Sequence, residues 1–109
     1  MPQLNQRDAI HYIATRQAFK ASALSGEFKT YTPQTGRLDS KESAKLEADF
    51  NHHRYHLGQE MYVVYSYGTP IAWHTDAEGW YVVAQKFSVT TSKHQNYVRR
   101  AIADSLVGA

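Results

Sequence analysis

Hydroxyl and basic side chains cluster where a strand-like segment of the sequence passes into a helical one. From Gly79 to Ala103 the chain has no acidic residue and four basic ones. Hydroxyl groups, a lysine and the free N–H groups at a helix start favour binding of phosphate or a similar anion. The predicted phosphate-binding residues are Ser88, Thr90, Thr91, Ser92, Lys93, His94, Arg99 and Arg100.

Aromatic side chains in the strands before this cluster are suited to stacking on the bases of a nucleic acid. The same residue types are typical anchors of protein–protein interfaces. The aromatic residues predicted to stack or to form an interface are Tyr65, Tyr67, Trp73 and Trp80. Nucleic acid and a host protein therefore both remain open as partners.

Helix capping is the structural alternative for the hydroxyl cluster. A serine or threonine before a helix is a common N-cap, and capping accounts for one or two of the four hydroxyls. Arg99 and Arg100 would then lie on a solvated helix face. Losing a cap should lower stability by roughly 1 kcal/mol, whereas losing a phosphate contact should weaken binding and its salt dependence.

His94 is the residue in this segment whose chemistry suits catalysis. It could serve as a general base in a nuclease or phosphodiesterase, with Lys93 stabilising the developing charge. No acidic residue adjoins it to orient the ring, and Asp76 or Glu78 would have to reach it from a hairpin turn. We therefore expect a non-enzymatic protein, with the His94 ring hydrogen-bonded to a strand carbonyl.

A second cluster with chemical potential is formed by His52, His53 and His56. On a helix, His52 and His56 would share one side and could bind a metal together with Asp49. The chain has no cysteine, no H-E-x-x-H motif and no second ligand pair. A polar helix end, where imidazolium charge is favourable, is the preferred interpretation, and we expect neither a metal nor a cofactor.

The N-terminal half predicts two helices and short strands. Asn5 should cap a helix to about Ala18, and short strands should follow near 19–24 and 28–31, interrupted at Gly26. A D-x-x-E capping box at Asp39 begins a second, mostly solvent-facing helix. This helix is expected to end near Tyr55, with Gly58 as its exit.

The C-terminal half predicts the centre of the fold. Residues 61–67 carry apolar or aromatic side chains on both faces, which is typical of a central strand. Gly68-Thr69-Pro70 should break it as a tight turn or bulge, before strands at 71–74 and 80–87. A helix with an apolar stripe then follows. The predicted class is α+β, with a small antiparallel sheet of three or four strands, two or three helices and a C-terminal helix after the main hairpin.

Length and composition bound the broad class of protein. The 109 residues fit one domain, with a motif-bearing core at 61–107 and an N-terminal part at 5–57. The apolar runs are too short to span a bilayer, and the first residues lack the pattern of a secretory signal. We therefore expect a cytoplasmic protein without a membrane partner, whose oligomeric state is open.

Two motifs carry a resemblance to a known family. Residues 65–73 read YSYGTPIAW and residues 87–95 read FSVTTSKHQ. This pattern resembles a family of small, mostly uncharacterised proteins of actinobacteriophages, of the mycobacteriophage type, marked by Y-S-Y-x-T-P-I-A-W and Y/F-S-x-T-T-x-K-H-Q. The resemblance implies a phage origin and work inside an infected bacterium.

Together these patterns favour a small phage-type binding protein that holds nucleic acid or another phosphate-bearing ligand through the 88–100 segment. One alternative is a module that binds and inhibits a host protein or defence factor. Another is a small nuclease or a protein that sequesters a nucleotide.

Overall fold

The computed structural model describes residues 5–29, 33–52, 61–75 and 78–107. Its helices are α1 (Gln6–Ala14), α2 (Ser40–Asn51) and α3 (Val89–Val107). Its strands are β1 (Phe19–Ala21), β2 (Leu24–Lys29), β3 (Met61–Ser66), β4 (Thr69–Thr75) and β5 (Gly79–Val82). Each strand pairs antiparallel with the next, in the order β1-β2-β3-β4-β5. The α+β class is confirmed, but the sheet has five strands rather than three or four.

Strand β3 lies in the middle of the sheet and is buried on both faces. Tyr62 and Val64 belong to a core cluster that includes residues of α1 and α3. Val63, the residue between them, packs in a second cluster with Leu46 and Phe50 of α2. Because successive side chains of a strand point to opposite faces, α1 and α3 cover one face and α2 the other.

Helix α1 begins as the sequence predicts and ends earlier. The Asn5 side chain accepts a hydrogen bond of 2.9 Å from the Asp8 N–H, as an N-cap does. The helix ends at Ala14 rather than Ala18, because Arg16 adopts a left-handed backbone with φ of 52°. The Gln17 N–H then donates back to the Tyr12 carbonyl over 2.8 Å, which closes the helix end and turns the chain into β1.

The prediction that Gly26 interrupts a strand is wrong. Strand β2 runs unbroken through Gly26, which pairs with Phe19 on one side and Val64 on the other. A Cβ atom at this position would lie 2.6 Å from the Phe19 ring and would also collide with the Tyr62 hydroxyl. Glycine therefore permits close packing here. The predicted strand at 28–31 is the end of β2, except that residues 30 and 31 lie outside the described ranges.

Helix α2 has the predicted cap but a more buried face than expected. The Asp39 carboxylate accepts from the Glu42 N–H over 2.8 Å. Glu42 does not complete the capping box, because its own carboxylate accepts from the Tyr81 hydroxyl at 2.5 Å and from the Ala84 N–H at 3.1 Å. Together with Leu46 and Phe50 it forms a buried line along the helix. The end predicted near Tyr55 and Gly58 lies outside the described residues.

A two-residue turn, Tyr67–Gly68, joins β3 to β4. Both residues have positive φ, 51° and 77°, as the tightest hairpin turns require. The predicted break at 68–70 is therefore a tight turn, although Thr69 and Pro70 already belong to β4. A register shift follows between Val64 and Tyr65.

Strand β5 ends at Val82 rather than at Phe87, because side chains replace its ladder partners. The Ala84 N–H donates to Glu42. The Gln95 amide of α3 donates to the carbonyls of Val83 and Gln85 at 2.9 and 3.3 Å. The Val83 N–H still donates to the Ile71 carbonyl of β4 over 2.9 Å, so residues 84–88 are the ones that leave the sheet and cross to the start of α3. No helix in the described part of the chain is long and apolar enough to span a membrane.

Candidate anion-binding site

A cavity of about 360 Å³ opens where the start of α3 meets the turn between β3 and β4. We call it the α3 cavity. Its lining residues are Arg37, Ser66, Tyr67, Thr69, Phe87, Ser88, Thr90 and Thr91. Small-ligand sites in proteins begin at roughly 300 Å³, so the volume suits a small molecule or one end of a larger one.

The N-terminus of α3 supplies donors to this cavity. Ser88 caps the helix: its carbonyl accepts from the Ser92 N–H at 2.9 Å and its hydroxyl from the Thr91 N–H at 3.3 Å. The N–H groups of Val89 and Thr90 precede the first of these bonds and have no acceptor within the helix. The cap predicted for the hydroxyl cluster is therefore present, and it leaves these two N–H groups without an acceptor inside the helix.

Arg37 brings a positive charge to the lining of the α3 cavity. The sequence patterns did not predict it as a site residue. The backbone N–H of Arg37 donates to the Thr69 hydroxyl over 3.0 Å, and its backbone carbonyl accepts from the Gln85 side-chain amide at 2.9 Å. Gly36, with φ of 56°, lies so close to Thr69 that a Cβ atom would not fit. These backbone contacts hold residue 37 at the cavity, where Arg37 is the one charged residue among the lining residues that the structure describes.

The floor of the cavity contains a chain of hydrogen-bonded side chains. The Ser88 hydroxyl donates to Thr91 Oγ1 over 3.3 Å. The hydroxyls of Thr91 and Ser66 are 3.1 Å apart, and Ser66 Oγ lies 2.7 Å from His94 Nδ1. The chain therefore joins the cavity wall to a histidine beneath it.

His94 is fully buried, and its environment is not the predicted one. The partner of its ring is the Ser66 hydroxyl rather than a strand carbonyl. Nε2 has no hydrogen-bond partner among the described residues. The ring stacks between Tyr67 and Tyr97, with centroids 6.1 and 6.4 Å away. Burial, and secondarily the charge of Lys93, lower the pKa of His94, so the neutral imidazole is favoured.

The four predicted stacking aromatics have different surroundings. Tyr67 is 64% exposed and lines the cavity. Trp73 is 1% exposed and donates from its ring to Asp49 over 2.8 Å. Tyr65 is buried as well, and Trp80 is half-buried against other aromatic rings. Only Tyr67 of the four offers an open ring at the cavity.

The predicted basic residues lie apart from the cavity. Lys93 lies over the Tyr97 ring, 5.9 Å from its centroid. Arg99 donates to the Asn96 side chain over 3.1 Å, and Arg100 is exposed. At a rise of 1.5 Å per residue, Arg99 and Arg100 lie about 13–15 Å along α3 from Thr90. Ser92 is half-buried and does not line the cavity either.

The groups considered for metal binding and for orienting His94 lie elsewhere. Asp49 accepts from Trp73 and pairs with Lys45 at 3.1 Å. Glu78 is near Lys45 as well, at 3.6 Å, and α2 is on the sheet face opposite α3. Across the described ranges no three side chains are arranged to hold a metal. His53, His56 and Asp76 lie outside those ranges.

Comparison with known proteins gives one assignment. No curated protein and no solved structure matches the chain. A family model matches residues 15–104, which include most of the described helices and strands and every residue that lines the α3 cavity. The chain belongs to this family, a family of unknown function designated DUF8033.

Proposed function

We propose that the protein binds a phosphate-bearing ligand in the α3 cavity. The observation that carries the proposal is the meeting of Arg37 with the capped start of α3 in one cavity, where none of the described lining residues is a carboxylate. A helix N-terminus favours negative charge, and a guanidinium forms paired hydrogen bonds with phosphate. The 88–100 segment therefore contributes Ser88, Thr90 and Thr91, and Arg37 replaces its more distant basic residues.

Tyr67 suggests which phosphate-bearing ligands suit the cavity. One face of its ring stacks on His94, while 64% of the residue is exposed. Stacking of a base on such a ring contributes about 1–3 kcal/mol. A nucleotide, or the end of a nucleic acid strand, would place its phosphate at α3 and its base on Tyr67.

The resemblance to actinobacteriophage proteins gives the proposal a setting. We propose that the protein is of phage origin and acts in the cytoplasm of an infected bacterium. Nucleotides and nucleic acid are abundant there, and either can supply the ligand that the protein binds or sequesters.

A second candidate is a module that binds a host protein. It is favoured by two exposed apolar side chains: Tyr67, which lines the cavity and is 64% exposed, and Val89, which lies between the lining residues Ser88 and Thr90 in sequence and is 88% exposed. Exposed aromatics are common anchors of interfaces. This candidate predicts binding that persists after nuclease treatment and does not depend on Arg37.

The test is calorimetric titration with inorganic phosphate, ribose 5-phosphate, adenosine and AMP. Hydrogen bonds to charged groups contribute about 1.5–3 kcal/mol, so Arg37→Ala should weaken AMP binding by roughly 10- to 100-fold. The matched control is Arg99→Ala, an exposed arginine outside the cavity, which should leave affinity within about twofold.

The comparison of ligands separates the two contacts. If Tyr67 stacks on the base, AMP should bind more tightly than ribose 5-phosphate, and Tyr67→Ala should remove the difference. Binding of adenosine equal to that of AMP, or an affinity that Arg37→Ala leaves unchanged, would show that phosphate is not recognised in the cavity.

A further inference from the structure

We propose that Ser66 is a nucleophile that attacks the phosphorus of a phosphate monoester bound in the α3 cavity, with His94 as the base that receives its proton. The inference depends on the proposed function, because the same cavity must first hold the phosphate. It adds a chemical step to what would otherwise be a binding site.

Ser66 combines two features that few buried serines share. It contributes to the wall of the α3 cavity, although the residue as a whole is 1% exposed. Its Oγ also lies 2.7 Å from His94 Nδ1, within the range over which a base takes a proton from a nucleophile. A ligand inside the cavity is therefore the one molecule positioned to meet this hydroxyl.

The surroundings of His94 favour the neutral form that a base requires. The ring is buried with a lowered pKa, so at neutral pH Nδ1 is available to accept a proton when Nε2 carries the hydrogen. No described carboxylate contacts the ring. Stacking between Tyr67 and Tyr97 holds its orientation instead, and aromatic faces also attract the imidazolium that forms.

The unpaired Nε2 supports a chemical role for His94. Buried polar atoms without a partner are uncommon and call for an explanation. A purely structural histidine at this place could be replaced by an apolar residue without leaving such an atom behind. A base that alternates between neutral and charged forms accounts for a histidine at this position.

The proposed reaction transfers the phosphoryl group of p-nitrophenyl phosphate to Ser66. Ser66 Oγ forms a bond to phosphorus while its proton moves to His94 Nδ1. The bond between phosphorus and the phenolic oxygen breaks, and p-nitrophenolate leaves with the electron pair. Arg37 and the N–H groups at the start of α3 would stabilise charge on the phosphoryl oxygens. The product is phosphorylated Ser66. Water then attacks its phosphorus, the bond between phosphorus and Ser66 Oγ breaks, the proton on His94 returns to Oγ, and inorganic phosphate is released.

The test measures p-nitrophenolate release and phosphate binding on the same preparations of the full chain. Wild type should release p-nitrophenolate, and Ser66→Ala should reduce the rate at least 100-fold while still binding inorganic phosphate. Arg99→Ala, prepared identically, should retain the wild-type rate, and a loss confined to Ser66→Ala would exclude a contaminating phosphatase. Wild-type protein that binds phosphate without any release would overturn this inference and leave the proposed function standing.

Two further measurements on wild type keep the test valid should Ser66→Ala fail to fold. Mass mapping after acid quenching should find one phosphoryl group on Ser66, and finding it on Ser88 or Thr90 instead would overturn the assignment.

The rate should fall as pH decreases through the pKa of His94. The other titratable or charged groups near this ring are Lys93, Tyr67 and Tyr97. A rate independent of pH through that pKa would overturn the role of His94. Absence of phosphate binding itself would overturn both proposals.

Discussion

At the scale of single residues, His94 couples the fold to pH. Its pKa is lowered by burial in the folded chain and returns to about 6.5 on unfolding. At a pH between the folded-state and unfolded-state pKa of His94, the unfolded state binds the proton and the folded state does not. Stability contributed by neutral His94 is therefore fully present above about pH 6.5 and is lost as pH falls toward the folded-state pKa.

We expect the free energy of unfolding to decrease below about pH 6.5, by at most about 1.4 kcal/mol per pH unit from this residue. Urea unfolding between pH 5 and pH 8 measures the effect. His94→Gln should flatten the dependence, whereas His11→Gln, at an exposed position on α1, should leave it unchanged. An equal pH dependence in His94→Gln and wild type would assign the proton uptake to another group.

At the scale of secondary-structure elements, Glu42 fastens α2 to β5 and the segment after it. Its buried carboxylate accepts from Tyr81 and Ala84, and the hydrogen bond to Glu42 raises the pKa of Tyr81 to about 12. A glutamine amide cannot accept both bonds in the same way, because one of its two ends only donates. We expect Glu42→Gln to lower stability by about 1–3 kcal/mol.

Chemical denaturation and ultraviolet titration of tyrosine measure this effect together. Glu42→Gln should also lower the pKa of Tyr81, which separates the loss of this hydrogen bond from general destabilisation. Glu47→Gln, at an exposed position of the same helix, is the control and should change stability by no more than about 0.5 kcal/mol. A comparable loss in both variants would mean that helix charge, rather than the buried carboxylate, is responsible.

Local interactions explain which elements the sequence could predict. The caps at Asn5 and Asp39 each involve a residue three positions away, so their signal is visible in a short stretch of chain. Gly26 was misinterpreted because the atoms that exclude a Cβ belong to Phe19 and Tyr62. A glycine in isolation does not reveal such neighbours.

The lining of the α3 cavity was also predictable in part, because the signal for some of its residues lies in a short stretch of chain. Ser88, Thr90 and Thr91 are contiguous with the helix start that makes them donors. Arg37 reaches the cavity through Thr69, 32 residues away along the chain, and nothing in its own neighbourhood indicates that contact. The burial of Trp73 is likewise decided by α2, through Asp49.

At the scale of the whole molecule, the distribution of charge decides how nucleic acid could bind. The net charge is only +2, so attraction must come from local groups. Four basic residues acting together, as the sequence pattern suggests, would give a slope of log K against log salt near −3.6 on duplex DNA. Among the described residues the cavity instead offers Arg37 alone, which corresponds to a slope of about −0.7 to −0.9.

We therefore expect a short single strand with a terminal phosphate to bind with a slope near −1 and to lose most of its affinity on dephosphorylation. Fluorescence anisotropy from about 50 to 200 mM salt measures this slope. Arg37→Ala should remove the terminal-phosphate preference, and the double variant Arg99→Ala/Arg100→Ala should retain both affinity and slope. A slope near −2.8, the value for four phosphate contacts on a single strand, that the double variant reduces would instead place nucleic acid along the outer face of α3, because each phosphate contact there releases its own counterion.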